Sequence, residues 1–188
     1  CAAADASNHR ALVLVDLQRD FMPGGALAVA HGDEVVAVAN RLQPAFDLVV
    51  ATRDWHPADH VSFAANHPGR RIGDAIEIGG VEHLLWPVHC VQDTEGAKLA
   101  ADLDAARIAL FVDKGTGRRV DSYSAFFDNA RQRSTGLADW LRERRVAEIY
   151  IAGLATDYCV AATAADALDL GLRVVVVTDG CRAVDLRA

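Results

Sequence analysis

Residues 148–170 read EIYIAGLATDYCVAATAADALDL. Ile149–Ala152 is a short apolar run of the kind that forms a strand buried in a sheet. Gly153-Leu154-Ala155-Thr156 breaks it, and a helical pattern follows to Leu170. This places Cys159 in the first turn of a helix. There, unpaired backbone N–H groups and the positive helix end favour a thiolate. A strand, a sharp turn and a helix carrying a nucleophile is a recurrent hydrolase arrangement. The same position also suits a small buried hydrophobe, so the stretch alone leaves both readings open.

The flanking sequence repeats this alternation. Ala11–Val15 (ALVLV), Leu48–Thr52 (LVVAT), Ala109–Val112 and Arg173–Thr178 (RVVVVT) are continuous apolar runs, as strands covered on both faces require. Helices are expected over Glu34–Ala45, capped by Asp33, and over Gly136–Arg145, with Leu137, Trp140 and Leu141 facing inward. A short helix is expected near Ala97–Leu103, and Gly171 reads as a C-cap. Arg53 to Ile108 otherwise has little periodicity, and a loop of that length in a compact domain is usually functional. Strands alternating with helices give an α/β fold, a three-layer sandwich around a central parallel sheet of Rossmann-like type. The expectation is one domain over 1–188, with 1–9 as an irregular extension.

Composition narrows the classes. A net charge of −7 and the lack of a basic patch with interleaved aromatics exclude a general nucleic-acid binder. No apolar run approaches the roughly 18 residues of a membrane span. Cys1, Cys90, Cys159 and Cys181 are scattered without CxxC spacing, which suggests reduced thiols and a cytoplasmic setting. The start at Cys1 reads as a trimmed or altered terminus.

Ligands of open α/β sheets bind beyond the carboxyl ends of the strands. Asp16, Asp54, Lys114 and Cys159 all fall there. Asp16, Lys114 and Cys159 make a nucleophile set: the carboxylate takes the thiol proton, and the ammonium steadies both. Singly, Asp16 would pass for a loop cap and Lys114 for a solvated charge. A second set is Asp54 and His56 in DWHPADH (54–60), with His89 in WPVHC (86–90). One carboxylate and two imidazoles leave open positions on a catalytic divalent metal, with His60 a candidate fourth ligand or pocket residue. Solvated loop histidines are the competing reading. Phe21, Trp86 and Tyr123 lie in loops near these groups; they could clamp a flat ring or simply fill the core.

Together these motifs resemble the nicotinamidase/pyrazinamidase branch of the isochorismatase-like cysteine hydrolases. The matching pieces are VDLQRDFMPGGAL (15–27), ATRDWHPADHVSF (51–63), WPVHCVQDTEGA (86–97), VDKGT (112–116), DSYSAFFDN (121–129), IAGLATDYCV (151–160) and VVTDGCRAV (176–184). The resemblance implies a metal-dependent amidohydrolase that converts nicotinamide, and also pyrazinamide, to the acid and ammonia in NAD salvage. A related cysteine hydrolase acting on another small amide or ureido compound is the alternative, and an inactive binding module a further one. It implies Cys159 as nucleophile, Asp16 as general acid/base and Lys114 as third member. It implies Asp54, His56 and His89 as ligands of one divalent ion, Zn2+ foremost, with Fe2+ and Mn2+ also suited. Phe21 and Trp86 would sandwich the ring. A cis peptide at Leu154–Ala155 would aim the N–H groups of Ala155 and Cys159 at the oxyanion. The family continues past TDGCRAV with a helix and a strand, so a sheet lacking its final strand is expected. A bared edge invites association into a homo-oligomer.

Overall fold

The computed structural model describes residues 9–184; Cys1 and the other residues read as an N-terminal extension, except His9, lie outside them. His9 is already part of the first strand and pairs with Val146. The central sheet is built from β1 (His9–Val15), β2 (Leu48–Asp54), β5 (Leu110–Lys114), β6 (Val146–Leu154) and β7 (Arg173–Arg182). Their order is β5-β2-β1-β6-β7, and every pairing is parallel.

The apolar runs form strands because both faces of the sheet are covered. Leu12 and Leu14 of β1 join one core with Val35, Val36 and Ala39 of α1 (Gly32–Leu42). Ala11, Val13 and Val15, pointing the other way, join a second core. That core takes Leu137 and Leu141 of α2 (Leu137–Glu143) and Ala167 of α3 (Ala161–Asp169). Period-two alternation thus feeds two cores at once, as the three-layer reading requires.

Several local expectations need correction. α1 is not capped by Asp33. The chain enters it through His31 in the left-handed region (φ 58), and helical residues begin at Gly32. Gln43–Ala45, expected within the same helix, form a separate 3₁₀ turn. No helix forms at Ala97–Leu103, because tertiary pairing claims that backbone: Leu99 bridges Gln18, and the N–H of Ala100 donates to the Leu17 carbonyl at 2.8 Å. Within the long loop, β3 (Ala75–Ile78) and β4 (Val81–Leu84) form an antiparallel hairpin. Trp140 is only half-buried. Gly171 ends α3 with φ +82, as expected.

The strand order places the chemistry. β1 leads outward to β2 and β5 on one side and is flanked by β6 and β7 on the other. The sheet's switch point therefore lies between β1 and β6, where such folds open a crevice. Gly153, at φ +138 near the end of β6, allows these strands to meet: a Cβ there would lie 2.1 Å from the Val15 carbonyl oxygen.

Candidate active site

Three strand ends converge on one buried ammonium. The Nζ of Lys114, at the end of β5, lies 2.8 Å from Asp16 Oδ2 and donates to Asp54 Oδ1. It also donates to the Ser122 carbonyl at 3.1 Å and to Cys159 Sγ at 3.3 Å. Asp16 is fully buried, in the left-handed region (φ 51), just beyond β1. Thr52 of β2 locks it from both sides: its hydroxyl donates to Asp16 Oδ1 at 2.6 Å and accepts the Asp16 N–H at 3.1 Å.

The environments of the two carboxylates push them apart. Burial raises the pKa of Asp16, with the Asp54 charge adding to it and Lys114 opposing. Burial acts against ionised Asp54 too, but Lys114 and His56 outweigh it and hold that carboxyl well below the usual range. For Lys114, burial disfavours the ammonium, yet Asp16, Asp54 and Cys159 prevail and raise its pKa well above normal.

Cys159 differs from the sequence expectation. It lies not in the first turn of an α-helix but in a single π-helical turn, Thr156–Val160, ahead of α3. Such turns recur at functional sites. Nor is it a resting thiolate. Burial raises its pKa well above normal; Lys114 works against this, while Asp16 and Asp54 add to it. The thiol is protonated at rest and needs a base, and a carboxylate oxygen of Asp16 lies within 4.8 Å of its sulfur.

Asp54 has a second face. Its Oδ2 lies 3.6 Å from the Nε2 atoms of both His56 and His89. The long loop brings these histidines together by pairing with itself: the His56 N–H donates to the Cys90 carbonyl at 3.0 Å, and the Gln92 N–H to the His56 carbonyl at 2.8 Å. His56 Nδ1 lies 2.9 Å from the Gly115 carbonyl and His89 Nδ1 2.8 Å from that of Pro87. Carbonyls only accept, so each Nδ1 carries a proton and each Nε2 is the ring nitrogen turned toward the carboxylate. Two imidazole nitrogens and a carboxylate oxygen within 4.8 Å of one another suit a divalent cation, which would take the place of any proton on Nε2. Gly115 is needed here, since a Cβ would lie 2.3 Å from the His56 ring.

His60 stacks on His56 at 4.2 Å. Its Nδ1 lies 2.7 Å from Ser62 Oγ, while its buried Nε2 has no hydrogen-bond partner and lies 3.9 Å from Asp121 Oδ1. Burial, reinforced by His56, lowers its pKa to about 4, so the ring is neutral.

One pocket joins the two sets. Phe21, Trp86, Tyr123, Asp54, His56, His89, Ala155 and Cys159 all line it. The Trp86 indole N–H donates to the Tyr123 hydroxyl at 3.2 Å. The Leu154–Ala155 peptide is cis, as expected. Sequence reasoning missed Tyr158, whose ring meets Trp86 edge-on at 4.8 Å, and Asp121, both in the pocket wall. Tyr158 directly precedes the nucleophile candidate and Asp121 opens the DSYS stretch, so position offered a signal that residue type did not.

Comparison with known proteins agrees with this geometry. The Isochorismatase domain family model matches residues 10–188. The nicotinamidase of Escherichia coli is 52% identical over 95% of this chain and 85% of its own length. That of Acinetobacter baylyi is 47% identical over 96% and 84%. Among solved structures, a nicotinamidase/pyrazinamidase from Acinetobacter baumanii superposes with TM-score 0.93 at 44% identity, covering 96% of this chain and 87% of that one. A Leishmania infantum protein in complex with nicotinate gives 0.83 at 36%, covering 99% and 86%. The pyrazinamidase of Pyrococcus horikoshii in complex with zinc gives 0.77 at 39%, covering 95% and 88%.

Proposed function

The chain belongs to the isochorismatase family, and from that footing we propose that it hydrolyses nicotinamide to nicotinate and ammonia, and accepts pyrazinamide. The observation that carries this reading is the shared pocket: Cys159, backed by buried Asp16 and Lys114, and the Asp54–His56–His89 cluster line one aromatic-walled cleft. The relatives named nicotinamidase and the nicotinate complex supply the substrate class.

The chemistry follows from the protonation states. Asp16 accepts the Cys159 S–H proton as the sulfur attacks the carboxamide carbon and the C–S bond forms. The Ala155 and Cys159 N–H groups take the oxyanion. The turn supports this role, because the Ala155 carbonyl receives the N–H groups of Tyr158 (3.2 Å) and Val160 (3.0 Å) and passes over that of Cys159. Each such donor contributes about 3–4 kcal/mol in comparable hydrolases. Asp16 returns the proton to nitrogen, the C–N bond breaks and ammonia leaves. A water then gives its proton to Asp16 and attacks the thioester carbon. The C–S bond breaks, and the sulfur regains its proton. Lys114 stays charged throughout and keeps Asp16 and Asp54 in register.

Asp54, His56 and His89 would hold one divalent ion, and the zinc complex of the Pyrococcus relative favours Zn2+. When bound, the ion supplies a Lewis-acidic anchor that orients the substrate. His60 is a candidate further ligand, since its ring is neutral, its buried Nε2 has no hydrogen-bond partner and it groups with His56 and Asp121. Phe21, Trp86 and Tyr123 would hold the pyridine ring. Burial keeps the Tyr123 hydroxyl protonated and able to donate. The free buried thiols Cys90, Cys159 and Cys181 fit a reducing compartment such as the cytoplasm.

The deciding experiment is ammonia release from nicotinamide with and without a chelator. Turnover that is lost on chelation and restored by Zn2+ supports the proposal. Absence of turnover in metal-loaded, folded protein refutes it.

A further inference from the structure

Only the first residue of Asp16-Leu17-Gln18-Arg19-Asp20 has a place in the reaction so far. Gln18 is fully buried, and its side chain reads the main chain of Asp54 on both sides. Oε1 accepts the Asp54 N–H at 2.7 Å, and Nε2 donates to the Asp54 carbonyl at 2.7 Å. The second Nε2 proton goes to the Ala97 carbonyl at 2.9 Å. The amide thus caps β2 as an added strand residue would, at the residue whose carboxylate faces both Lys114 and the histidine pair.

Two positions on, Asp20 does the same for the other arm of the cluster. Its Oδ2 accepts the N–H of Cys90 at 2.7 Å. Cys90 directly follows His89, holds a left-handed backbone (φ 44), and uses its carbonyl to accept the His56 N–H at 3.0 Å. One residue, Cys90, therefore links the two histidines, and Asp20 grips its N–H. Asp20 is itself seated, since its N–H donates to the Gly96 carbonyl at 3.0 Å. Its carboxylate lies flat on that backbone, where a Cβ on Gly96 would meet Oδ2 at 2.2 Å.

We propose that Gln18 and Asp20 are positioning residues for the metal centre: one five-residue segment carries the base, Asp16, and clamps the backbones that present Asp54, His56 and His89. The inference rests on the ligand assignment made above. Partners behind metal ligands are worth about 10–100-fold in metal affinity when lost. Neither side chain belongs to the Asp54–His56–His89 group; each acts on it through main chain.

The test is zinc affinity, measured by competition with a chromophoric chelator, alongside the melting temperature of the metal-free protein. Gln18→Met keeps the volume and loses all three hydrogen bonds. Asp20→Ala loses the grip on Cys90, while Asp20→Asn keeps an oxygen to accept that N–H. The expected result is zinc affinity weaker by about 10–100-fold in Gln18→Met and Asp20→Ala and close to wild type in Asp20→Asn. Unchanged zinc affinity in folded Gln18→Met and Asp20→Ala overturns the proposal. Asp20→Asn as weak as Asp20→Ala also overturns it, since charge rather than geometry would then be responsible. Should Gln18→Met not fold, the Asp20 pair decides. His56→Ala is the control: if it too binds zinc like wild type, the ligand assignment has failed rather than the positioning.

Discussion

Lys114→Met should be among the most destabilising single changes available in this protein, and the damage should depend on pH. The Lys114 side chain is fully buried and its ammonium has four partners: Asp16, Asp54, the Ser122 carbonyl and the Cys159 sulfur. Methionine fills much of the same volume but leaves two buried carboxylates facing each other without a cation. Removing one partner of a buried ion pair costs about 3–5 kcal/mol. For a domain of this size that corresponds to a melting temperature lower by about 6–20 °C. Lys114 lowers the pKa of Asp16 and of Asp54, so in the variant both rise. A carboxyl whose folded pKa is raised contributes stability fully below its unfolded value of about 3.9, and loses it as pH rises through the folded pKa. The deficit should therefore be largest near neutral pH and shrink as the solution is acidified toward the unfolded value. Urea unfolding of metal-free wild type and variant at several pH values measures this. A deficit under about 1 kcal/mol at pH 7, or one that grows in acid, would refute the charge balance drawn here.

Three further outcomes are expected. Cys159→Ala should abolish ammonia release from nicotinamide while zinc content, read by elemental analysis, stays at the wild-type level. His56→Ala should remove the metal and weaken substrate binding, visible as loss of zinc after dialysis and a raised KM. Thr52→Val removes a hydrogen bond that lowers the Asp16 pKa. Asp16 should then hold its proton to higher pH, so the acid limb of the pH–kcat/KM profile moves upward while the alkaline limb stays in place; an acid limb that does not move, or moves down, refutes the role of this bond.

The sheet was legible in sequence because its strands are covered on both faces, so ALVLV and LVVAT appear as unbroken apolar runs. The hairpin β3–β4 was not, although Gly79-Gly80 between Ile78 and Val81 is a recognised turn signal. Its strands are four residues each and bury only His83 between them, which leaves no apolar run to notice. The helix expected at Ala97–Leu103 had adequate local propensity and lost to tertiary pairing with Leu17 and Gln18. The site divides the same way. Asp16, Lys114, Cys159, Asp54, His56 and His89 could be singled out because their residue types suit chemistry and they lie at strand ends or in the unpatterned loop. Gln18, Asp20 and Thr52 could not. The hydrogen bonds that tie them to Asp16, Asp54, Cys90 and Ala97 join residues 36 to 79 positions apart, and no local period records such a partnership.

The use of lysine rather than histidine beside the thiol has a physical reason in this pocket. Two carboxylates and a thiol share one cavity, and at neutral pH a single imidazole could be neutral when both carboxylates need a cation. The ammonium of Lys114, with its pKa raised by those same neighbours, cannot lapse in this way. With the cation fixed, the two carboxylates are free to differ. Asp54 is held ionised, ready for a metal on its other oxygen, while Asp16 is pushed toward the protonated state and can carry the proton between sulfur, leaving group and water. Environments that drive two neighbouring acids apart are how one site obtains both a permanent charge and a proton carrier. The assignment of roles therefore rests on the asymmetry between Asp16 and Asp54. Exchanging that asymmetry, as Asp16→Asn does, should leave zinc bound and the thiol in place, yet leave Cys159 without a base.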